Sequence, residues 1–349
     1  MRVAVIGGGV VGLSATVALL RQGIDVWCHE RGEPMAERSA GDTRIFRLAH
    51  ACPDMVRLAG RSRALFATWS ERAGVALVDE VGTVVSGAEA GGWAEAMAAA
   101  GVAHELVEAG SPRLRLPAVT FAGPALIDPA GGVIRVDRVR AFLVGAAGAR
   151  LRPVHVDAIE ETASGVRVRA GAESDTFDAV LICAGAGTSA LAAGVGIDTP
   201  RVLEHHLRVS FPLRPAAPAP LSCWITAPAD GVLGTYQHQD GPGSWAVGGD
   251  VDPALVTWAN GREAAEEASL AAVTGYVAEH LPFVEPRPIG RVYCTHNPGL
   301  GDGLQFARRG RVLAVHGENL MKFAPLLGEM LARSAVEGST PENAGPSVA

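Results

Sequence analysis

The chain has 349 residues, 48% of them apolar, so it is long enough to bury a large core as one large or two moderate domains. Its formal net charge of -7 at pH 7 argues against general binding to nucleic acid or to an anionic membrane surface, because both need clustered Lys and Arg. Small molecules are therefore the expected partners.

The cysteines are odd in number, scattered along the chain and never spaced as C-x-x-C. They are Cys28, Cys52, Cys183, Cys223 and Cys294. This pattern predicts neither a disulfide framework nor a zinc site, and it favours a cytoplasmic location. No apolar stretch approaches the roughly 20 residues that span a bilayer, so we expect no membrane segment.

The first 30 residues predict a β-strand, a helix and a second strand. Residues 2–6 are a β-branched run that ends in glycines, 13–21 are rich in Ala and Leu, and 24–29 form a second apolar run that ends at Glu30. The length of about 30 residues is typical of a βαβ unit. Two later apolar runs, 179–183 and 311–315, are predicted to be buried strands of the same sheet.

The fold class predicted from these patterns is α/β, with a Rossmann-type domain assembled from discontinuous segments. We assign 1–75, 135–200 and 285–337 to this nucleotide-binding domain. The shorter, alternating patterns in 76–134 and 201–284 predict a second, mainly antiparallel β domain. Residues 338–349 are rich in Gly, Ser, Pro and Asn, and we expect a disordered tail.

A dinucleotide-binding motif lies between the first strand and the first helix. Gly7, Gly9 and Gly12 give G-x-G-x-x-G in the required context, with glycines for the turn, for approach to the pyrophosphate and for helix–strand packing. Glu30 is placed to accept hydrogen bonds from ribose hydroxyls and disfavours a 2′-phosphate. The motif alone does not separate FAD from NAD.

Residues 39–47, SAGDTRIFR, resemble the S-x-x-G-D-T-R-x-x-R segment of the sarcosine oxidase group of FAD-dependent amino-acid and amine oxidases, in the D-amino-acid oxidase superfamily, but are one residue short at the start. The resemblance continues more weakly at 132–134, 154–159, 178–187 and 291–329. It implies an FAD-binding domain and a substrate domain. It also implies that Arg44 lies beside the flavin ring, while Arg47 and Lys322 contact the substrate carboxylate. Alternatively, Arg44 and Arg47 are surface ion-pair residues on one helical turn.

The resemblance, together with the glycine motif, implies a set of cofactor contacts. They are Gly7, Gly9, Val10, Val11, Gly12, Glu30, Arg31, Ser39, Thr43, Arg44, Val156, Gly185, Cys294, Gly317, Asn319, Leu320 and Lys322. Val156 and its neighbours would contact the adenine side through the backbone.

The sequence departs from the family at the flavin linkage. The family commonly attaches its flavin through a cysteine in C-x-Y-T, whereas this chain has Val292 at that position and Cys294 two residues later. Because side chains alternate along a strand, Cys294 would share the face of the expected cysteine. A covalent link is open but not favoured, and the alternative is that Cys294 is a small buried hydrophobic residue.

Two further departures affect the reaction. Ala246 stands where the family has an oxygen-activating lysine in a G-x-K-x-G turn, so rapid reaction with oxygen is in doubt. His238 or Arg208 are the candidates to replace that lysine, and His238 is the candidate catalytic histidine. The family's G-H-G turn is replaced by residues 317–320, GENL, which predicts a substrate other than sarcosine.

The function that the resemblance implies is FAD-dependent oxidation of the C–N bond of a small amine or amino acid to an imine, with electrons passed to O2. One alternative is a flavin dehydrogenase or a biosynthetic tailoring oxidase with a different acceptor. Further alternatives are an NAD-dependent dehydrogenase and a flavin-binding protein without turnover. No metal is expected.

Overall fold

The computed structural model describes residues 1–116, 121, 123–200, 202–215, 220–229, 231–298, 300 and 302–345. The chain divides into two units, each built from separated segments. The first unit comprises Met1–Gly41, Val136–Leu203 and Asn297–Ala349, and the second comprises Asp42–Arg135 and Glu204–His296.

The strands, in chain order, are β1 Arg2–Ile6, β2 Asp25–Glu30, β3 Thr43–Phe46, β4 Val78–Asp79, β5 Thr83–Ser86, β6 Glu105–Val107, β7 Ala125–Asp128, β8 Gly132–Arg135, β9 Leu151–Pro153, β10 Ala158–Thr162, β11 Gly165–Ala170, β12 Glu173–Phe177, β13 Ala179–Ile182, β14 Glu204–Pro212, β15 Cys223–Thr226, β16 Thr235–Gly241, β17 Ser244–Gly249, β18 Gly290–His296, β19 Leu304–Arg309 and β20 Val312–Gly317. The α-helices are α1 Val10–Arg21, α2 Pro53–Ala73, α3 Glu89–Ala99, α4 Val136–Ala147, α5 Thr188–Gly194, α6 Pro253–Val256, α7 Arg262–His280 and α8 Ala324–Glu337.

The first unit contains a six-stranded sheet in the order β19-β20-β13-β1-β2-β9. All neighbouring strands run parallel except β19, which is antiparallel to β20. Parallel strands are normally covered on both faces, which explains why β13 is buried along its whole length. The predicted strands β1, β2, β13 and β20 therefore share one sheet, and the α/β fold class is confirmed.

Helices α1 and α8 pack closely in the first unit because both carry small residues where they meet. A Cβ atom added at Gly328 of α8 would lie 2.7 Å from the backbone oxygen of Ser14 in α1. The antiparallel sheet β10-β11-β12 packs against the parallel sheet, and the two share one hydrophobic cluster. Ile6, Phe177 and Ile182 are buried in this cluster. This packing fixes the start of α1 against the carboxyl ends of the strands.

The second unit contains an eight-stranded sheet in the order β18-β14-β17-β16-β15-β5-β7-β6. Its pairs are antiparallel except the parallel pair β15 and β5, so the mainly antiparallel prediction is confirmed. Leu207, Val209 and Phe211 of β14 belong to a buried cluster that includes Val273 and Val277 of α7. The alternate residues of β14 therefore point to the other face. A small sheet, β3-β8-β4, completes the unit.

The predicted domain boundaries need correction at four places. Residues 42–75 and 285–296, as well as Arg135, group with the second unit rather than with the nucleotide-binding unit, and residues 202–203 group with the first unit rather than with the substrate domain. The reason is strand pairing: β3 pairs with β8, and β18 pairs with β14 along its length. These pairings join distant segments, which local sequence patterns do not reveal.

The expectation of a disordered tail is wrong for residues 338–345. Ala344 exchanges two backbone hydrogen bonds with Leu304, of 2.7 and 2.9 Å, and Asn343 Oδ1 accepts a hydrogen bond of 2.8 Å from the backbone N–H of Phe306. The tail satisfies polar backbone groups of the edge strand β19, which explains why a polar segment is ordered. Residues 346–349 lie outside the described residues.

Candidate functional site

The turn between β1 and α1 fits a bound dinucleotide because its glycines leave no room for side chains. Gly7 has a φ of +106°, and a Cβ atom added there would lie 2.4 Å from the backbone oxygen of Cys183. A Cβ atom at Gly12 would lie 1.9 Å from the backbone oxygen of Gly7. Helix α1 begins immediately after Gly9, so the backbone N–H groups of its first turn, which have no acceptor within the helix, lie at this glycine turn. The turn therefore offers bare backbone and a helix N-terminus, which is what a pyrophosphate requires.

The residues at the start of α1 are held by a serine from the predicted flavin-binding segment. Ser39, which is buried, accepts a hydrogen bond of 3.1 Å from the backbone N–H of Val10 through its Oγ. Val10 and Val11 occupy the first two helical positions, as the sequence motif predicts. Their side chains are buried, so only their backbone can serve the cofactor.

Glu30 ends β2 with its carboxylate fixed by the backbone. Oε2 accepts a hydrogen bond of 2.6 Å from Gly8 N–H, and Oε1 accepts one of 2.9 Å from Gly32 N–H. Each oxygen retains a second acceptor position, so Glu30 can still accept ribose hydroxyls. The neighbouring Arg31 forms an exposed ion pair of 3.0 Å with Glu37.

Val156 and Gly185 lie in the same unit as the glycine turn. The Val156 side chain is buried in the cluster that contains Ile6, so it is the backbone of Val156 that remains for the predicted cofactor contact. Gly185 has a φ of +56° and begins a short 3-10 turn directly after β13. The positive φ explains the need for glycine at this strand end.

Residues 317–320 fold around a buried carboxylate. Glu318 Oε1 accepts hydrogen bonds of 2.5 Å from Arg38 and 2.6 Å from the backbone N–H of Asn297. Glu318 is only 5% exposed, so this ion pair is shielded from water. The glutamate that replaces the family's histidine is therefore a structural anchor of this turn.

Lys322 is buried and already has an anionic partner. Its Nζ donates a hydrogen bond of 2.8 Å to Asp302 Oδ1, and Asn319 Nδ2 donates to the same oxygen at 2.8 Å. Asn319 has a left-handed backbone (φ +53°), and Leu320 starts the short 3-10 helix Leu320–Phe323 that carries Lys322. Asp302 thus compensates the positive charge of Lys322, the residue predicted to contact the substrate carboxylate. No sequence signal singled out Asp302.

In the second unit, polar side chains gather on one face of the eight-stranded sheet and on β3. We call this group the polar face; it consists of Thr43, Arg44, His206, Arg208, Tyr236, His238 and Cys294. The backbone oxygen of Thr43 accepts hydrogen bonds of 2.8 Å from both Arg44 and Arg208. His238 Nε2 and Thr43 Oγ1 are hydrogen-bonded at 2.9 Å. The predicted residues Thr43, Arg44 and His238 are therefore brought together.

Burial, together with the two arginines, keeps the neighbouring imidazoles uncharged. Burial, followed by the positive charge of Arg208, lowers the pKa of Arg44 to about 10, so Arg44 remains protonated at neutral pH. Burial and the charges of Arg208 and Arg44 hold the pKa of His238 well below its usual value. Burial, His296 and both arginines lower the pKa of His206 to about 4. At neutral pH the polar face carries two guanidinium charges and neutral imidazoles.

His206 and Tyr236 form a stacked pair on the polar face. Their rings lie 5.6 Å apart with an interplanar angle of 23°, and Nε2 of His206 is hydrogen-bonded to the Tyr236 hydroxyl. A Cβ atom at Gly248 would lie 2.0 Å from Tyr236 Cζ, so this stacking requires glycine on the neighbouring strand. No local sequence pattern indicates this pair, because Tyr236 lies on another strand; alternation along β14 indicates only that His205 and His206 point to opposite faces.

Arg47 is held by its own segment and by α3. Its guanidinium lies 4.5 Å from the ring centroid of Trp93, donates to the backbone oxygen of Ala49 and contacts His50 Nδ1. Residues 43–46 form β3, so the alternative that Arg44 and Arg47 share a helical turn is wrong. The extended backbone follows from the pairing of β3 with β8.

Cys294 and Ala246 also lie on strands that carry the polar face. Cys294 is paired with His206 between β18 and β14, and its thiol acts electrostatically on Arg44 and Tyr236. Ala246 is fully buried in β17, opposite Ser210 and His238, rather than in a turn. Strand β17 continues through Gly249, so Ala246 lies within a strand.

Comparisons with known proteins identify the family of the chain. The sequence model of a family described as DAO, FAD dependent oxidoreductase, matches residues 2–334. The chain belongs to this family. No curated protein matches the sequence.

Members of the DAO family of known structure share the fold. NikD, described as an unusual amino acid oxidase essential for nikkomycin biosynthesis, gives a TM-score of 0.83 at 22% identity, covering 97% of this chain and 95% of NikD. L-proline dehydrogenase from P. horikoshii gives 0.78 at 17% identity, covering 97% and 93%. Glycine oxidase from Geobacillus kaustophilus gives 0.72 at 20% identity, covering 97% and 95%. At these identities the likeness shows the fold.

The DAO family assignment identifies FAD as the cofactor. As an FAD-dependent oxidoreductase, the protein uses a dinucleotide whose pyrophosphate suits the turn at Gly7 and Gly12 and whose ribose suits Glu30. In the part of the chain that the structure describes, no cluster of three His, Cys, Asp or Glu side chains is arranged to hold a metal. Over the same residues, no helix combines the length and apolar character needed to cross a bilayer.

Proposed function

We propose that the protein oxidises the C–N bond of a small primary or secondary amine or amino acid to an imine. The observation that carries the proposal is the polar face, where the guanidinium groups of Arg44 and Arg208 lie beside imidazoles held neutral. When bound, FAD supplies the acceptor for the two electrons that leave the substrate. The printed descriptions of NikD, glycine oxidase and an iminodiacetate oxidase support an amine or amino-acid substrate.

The charges of the polar face suit the protonation state that this reaction needs. An amine must lose its proton before its lone pair can assist oxidation at the neighbouring carbon. Nearby guanidinium charges disfavour an ammonium and favour a carboxylate. His238, the candidate catalytic histidine, is neutral and can accept a hydrogen bond from the neutral amine, since a neutral imidazole has an acceptor nitrogen; its lowered pKa makes it a poor acceptor for the amine proton itself.

Arg47 and Lys322 remain the candidates for substrate carboxylate contacts that the family resemblance implies. Each already has partners: Arg47 contacts Trp93 and Ala49, and Lys322 binds Asp302. A carboxylate would have to compete with Asp302 for the Lys322 ammonium. We therefore expect Lys322→Met to raise KM by less than it would if the Lys322 ammonium had no carboxylate partner.

The electron acceptor is proposed to be O2, with a dehydrogenase or a biosynthetic tailoring oxidase as the second candidate. A specific observation favours the second candidate: Ala246 is a fully buried strand residue that provides no charge. The match to a family of FAD-dependent enzymes favours FAD over the nicotinamide alternative. We further propose that FAD is held without a covalent bond, that the protein is cytoplasmic, and that its partners are small molecules rather than nucleic acid or membrane.

The proposal is tested by anaerobic mixing of the purified holoenzyme with N-methyl and cyclic amino acids. Bleaching of the visible flavin absorption by at least one of them is expected. Readmission of air then measures the rate of reoxidation, and slow recovery would favour the dehydrogenase candidate. Acid precipitation should release the flavin into solution, whereas colour that stays in the pellet would indicate a covalent link. Failure of every amine to bleach the flavin would refute the proposed reaction.

A further inference from the structure

Residues 35–39, which we call the strap, lie along the glycine turn between β1 and α1. The backbone N–H of Met35 donates a hydrogen bond of 3.0 Å to the backbone oxygen of Gly8. Ser39 Oγ accepts one of 3.1 Å from the backbone N–H of Val10. Met35 has a left-handed backbone (φ +61°) and a buried side chain, an uncommon conformation that persists only where its surroundings fix it. The strap is therefore held against the glycine turn at both ends.

Arg38 connects the strap to the turn of residues 317–320. Its Nη2 donates a hydrogen bond of 2.5 Å to Oε1 of the buried Glu318, and the same oxygen accepts one of 2.6 Å from the backbone N–H of Asn297. The Arg38 side chain passes beside Gly185, where an added Cβ atom would lie 3.8 Å from Arg38 Cδ. One ion pair thus links segments of the first unit that lie 280 residues apart in the chain.

The ion pair connects two groups of predicted cofactor contacts. Ser39 follows Arg38 directly, and Gly317 and Asn319 flank Glu318. At Ser39 the strap meets the first turn of α1, which is the end of the site that suits a pyrophosphate. The Arg38–Glu318 ion pair therefore joins the pyrophosphate end of the site to the turn that follows β20.

Both partners stand where the sequence departs from the family pattern. Arg38 immediately precedes the segment 39–47, which is one residue short at its start, and Glu318 replaces the histidine of the G-H-G turn. The structure brings these two departures into direct contact. A carboxylate that is buried in this turn needs a cation, and Arg38 provides it. The pair is therefore a feature of this chain rather than of the general family pattern.

We propose that the Arg38–Glu318 ion pair is a clasp that retains FAD by fixing the strap to the turn of residues 317–320. The inference rests on the FAD cofactor of the family and is independent of the substrate proposed above. For the cofactor to leave, the strap must separate from this turn, which breaks a hydrogen-bonded ion pair and leaves the Glu318 carboxylate without its cation. Such a pair slows dissociation more than it changes association.

The test measures the rate at which FAD leaves the holoenzyme, followed by the recovery of free FAD fluorescence after dilution. The double variant Arg38→Met/Glu318→Gln removes both charges, so neither partner is left charged without the other. We expect it to release FAD about tenfold faster or more, with an association rate within about twofold of the wild type, because truncating a buried charge pair acts mainly on dissociation. Arg38→Lys keeps a cation beside Glu318 and should release FAD more slowly than the double variant.

A matched control removes an exposed ion pair of the same unit. Arg21→Met/Glu329→Gln removes the 3.0 Å pair between α1 and α8, and it should leave the rate of FAD release unchanged. Thermal unfolding of the FAD-free protein separates retention of the cofactor from a structural role. Arg38→Met alone should lower the thermal midpoint by more than the double variant does, because it leaves Glu318 buried without its cation.

A double variant that releases FAD at the wild-type rate would overturn the proposal, and the ion pair would then serve stability alone. Loss of FAD from the double variant during purification, with an unchanged thermal midpoint, would be the expected result in a stronger form. Hydrogen exchange of the wild type needs no variant: the Met35 amide should exchange more slowly with FAD bound than without it, and equal rates would also overturn the proposal.

Neither measurement involves a substrate, so the clasp and the proposed reaction are judged separately. If no amine reduces the flavin while the double variant loses FAD rapidly, only the proposed reaction fails. If amines reduce the flavin while the double variant retains FAD as the wild type does, only the clasp fails.

Discussion

The imidazoles of His206 and His238 are buried beside two guanidinium groups, and this sets their protonation. A histidine whose pKa is lowered on folding takes up protons more readily in the unfolded chain. Such a group stabilises the fold above its unfolded pKa of about 6.5, and this contribution is lost as the pH falls toward its folded value. For His206 that folded value is about 4.

We therefore predict that His206 makes the fold sensitive to acid between pH 6.5 and 4. His206→Gln keeps a polar side chain for Tyr236 but cannot titrate. The free energy of unfolding of the wild type, relative to this variant, should fall with decreasing pH by at most about 1.4 kcal/mol per pH unit, the limit for one proton. Denaturant unfolding at several pH values measures the difference. Replacing the exposed His155 by Gln is the control, and a His206 difference that does not vary with pH would contradict the prediction.

At the scale of elements, strands and turns that depend on local pattern were predictable. The apolar runs of β1, β2, β13 and β20 and the glycines before α1 identified the nucleotide-binding unit, because each signal lies within a few residues of the feature it specifies. The assignment of β3 and β18 failed because their partners, β8 and β14, lie about 85 residues away in the chain.

The same distinction holds for the candidate site. Gly7, Gly12 and Glu30 follow from spacing along one βαβ unit. The Asp302–Lys322 ion pair and the shared Thr43 oxygen depend on how separate segments of the chain meet, and no periodicity in the sequence indicates that. The resemblance to the family supplied Arg44, but not the hydrogen bond by which Arg208 shares the Thr43 backbone oxygen with it.

The junction of β1 and α1 gives a prediction at this scale. Gly12→Ala places a Cβ atom 1.9 Å from the Gly7 oxygen, so strand and helix must separate. We expect a loss of about 1 to 3 kcal/mol of unfolding free energy, as in overpacked cores, and at least a tenfold weaker affinity for FAD. Fluorescence titration of FAD measures the affinity.

The matched control is Gly145→Ala in the exposed part of α4, where an added Cβ meets nothing within 4 Å. It should stabilise the protein by about 0.5 to 1 kcal/mol, because alanine is the better helix former, and should leave FAD affinity unchanged. Normal FAD binding by Gly12→Ala would show that the turn tolerates a side chain and is not the pyrophosphate site.

At the scale of the whole molecule, each unit is completed by chain that lies far away in sequence. The glycine turn of the first unit is complete by residue 12. The strand β20 that pairs with β13 and the helix α8 that packs on α1 come from the segment that begins at Asn297. A chain of residues 1–203 therefore carries the entire dinucleotide motif without strands β19 and β20 and without helix α8. We predict that this fragment does not bind FAD, as measured by gel filtration with bound flavin. FAD binding by the fragment at full-length affinity would contradict this dependence.

Oxidation of a C–N bond is tested most directly by the stoichiometry of one anaerobic turnover. The holoenzyme is mixed with an amino acid that bleaches its flavin and, separately, with the corresponding 2-hydroxy acid, which differs only at the reacting heteroatom. The account predicts that one equivalent of amino acid is consumed per flavin reduced. It also predicts an imine, or the carbonyl compound and amine formed by its hydrolysis, and no reduction by the hydroxy acid. Reduction by the hydroxy acid or by NADH, with no amine consumed, would contradict the account.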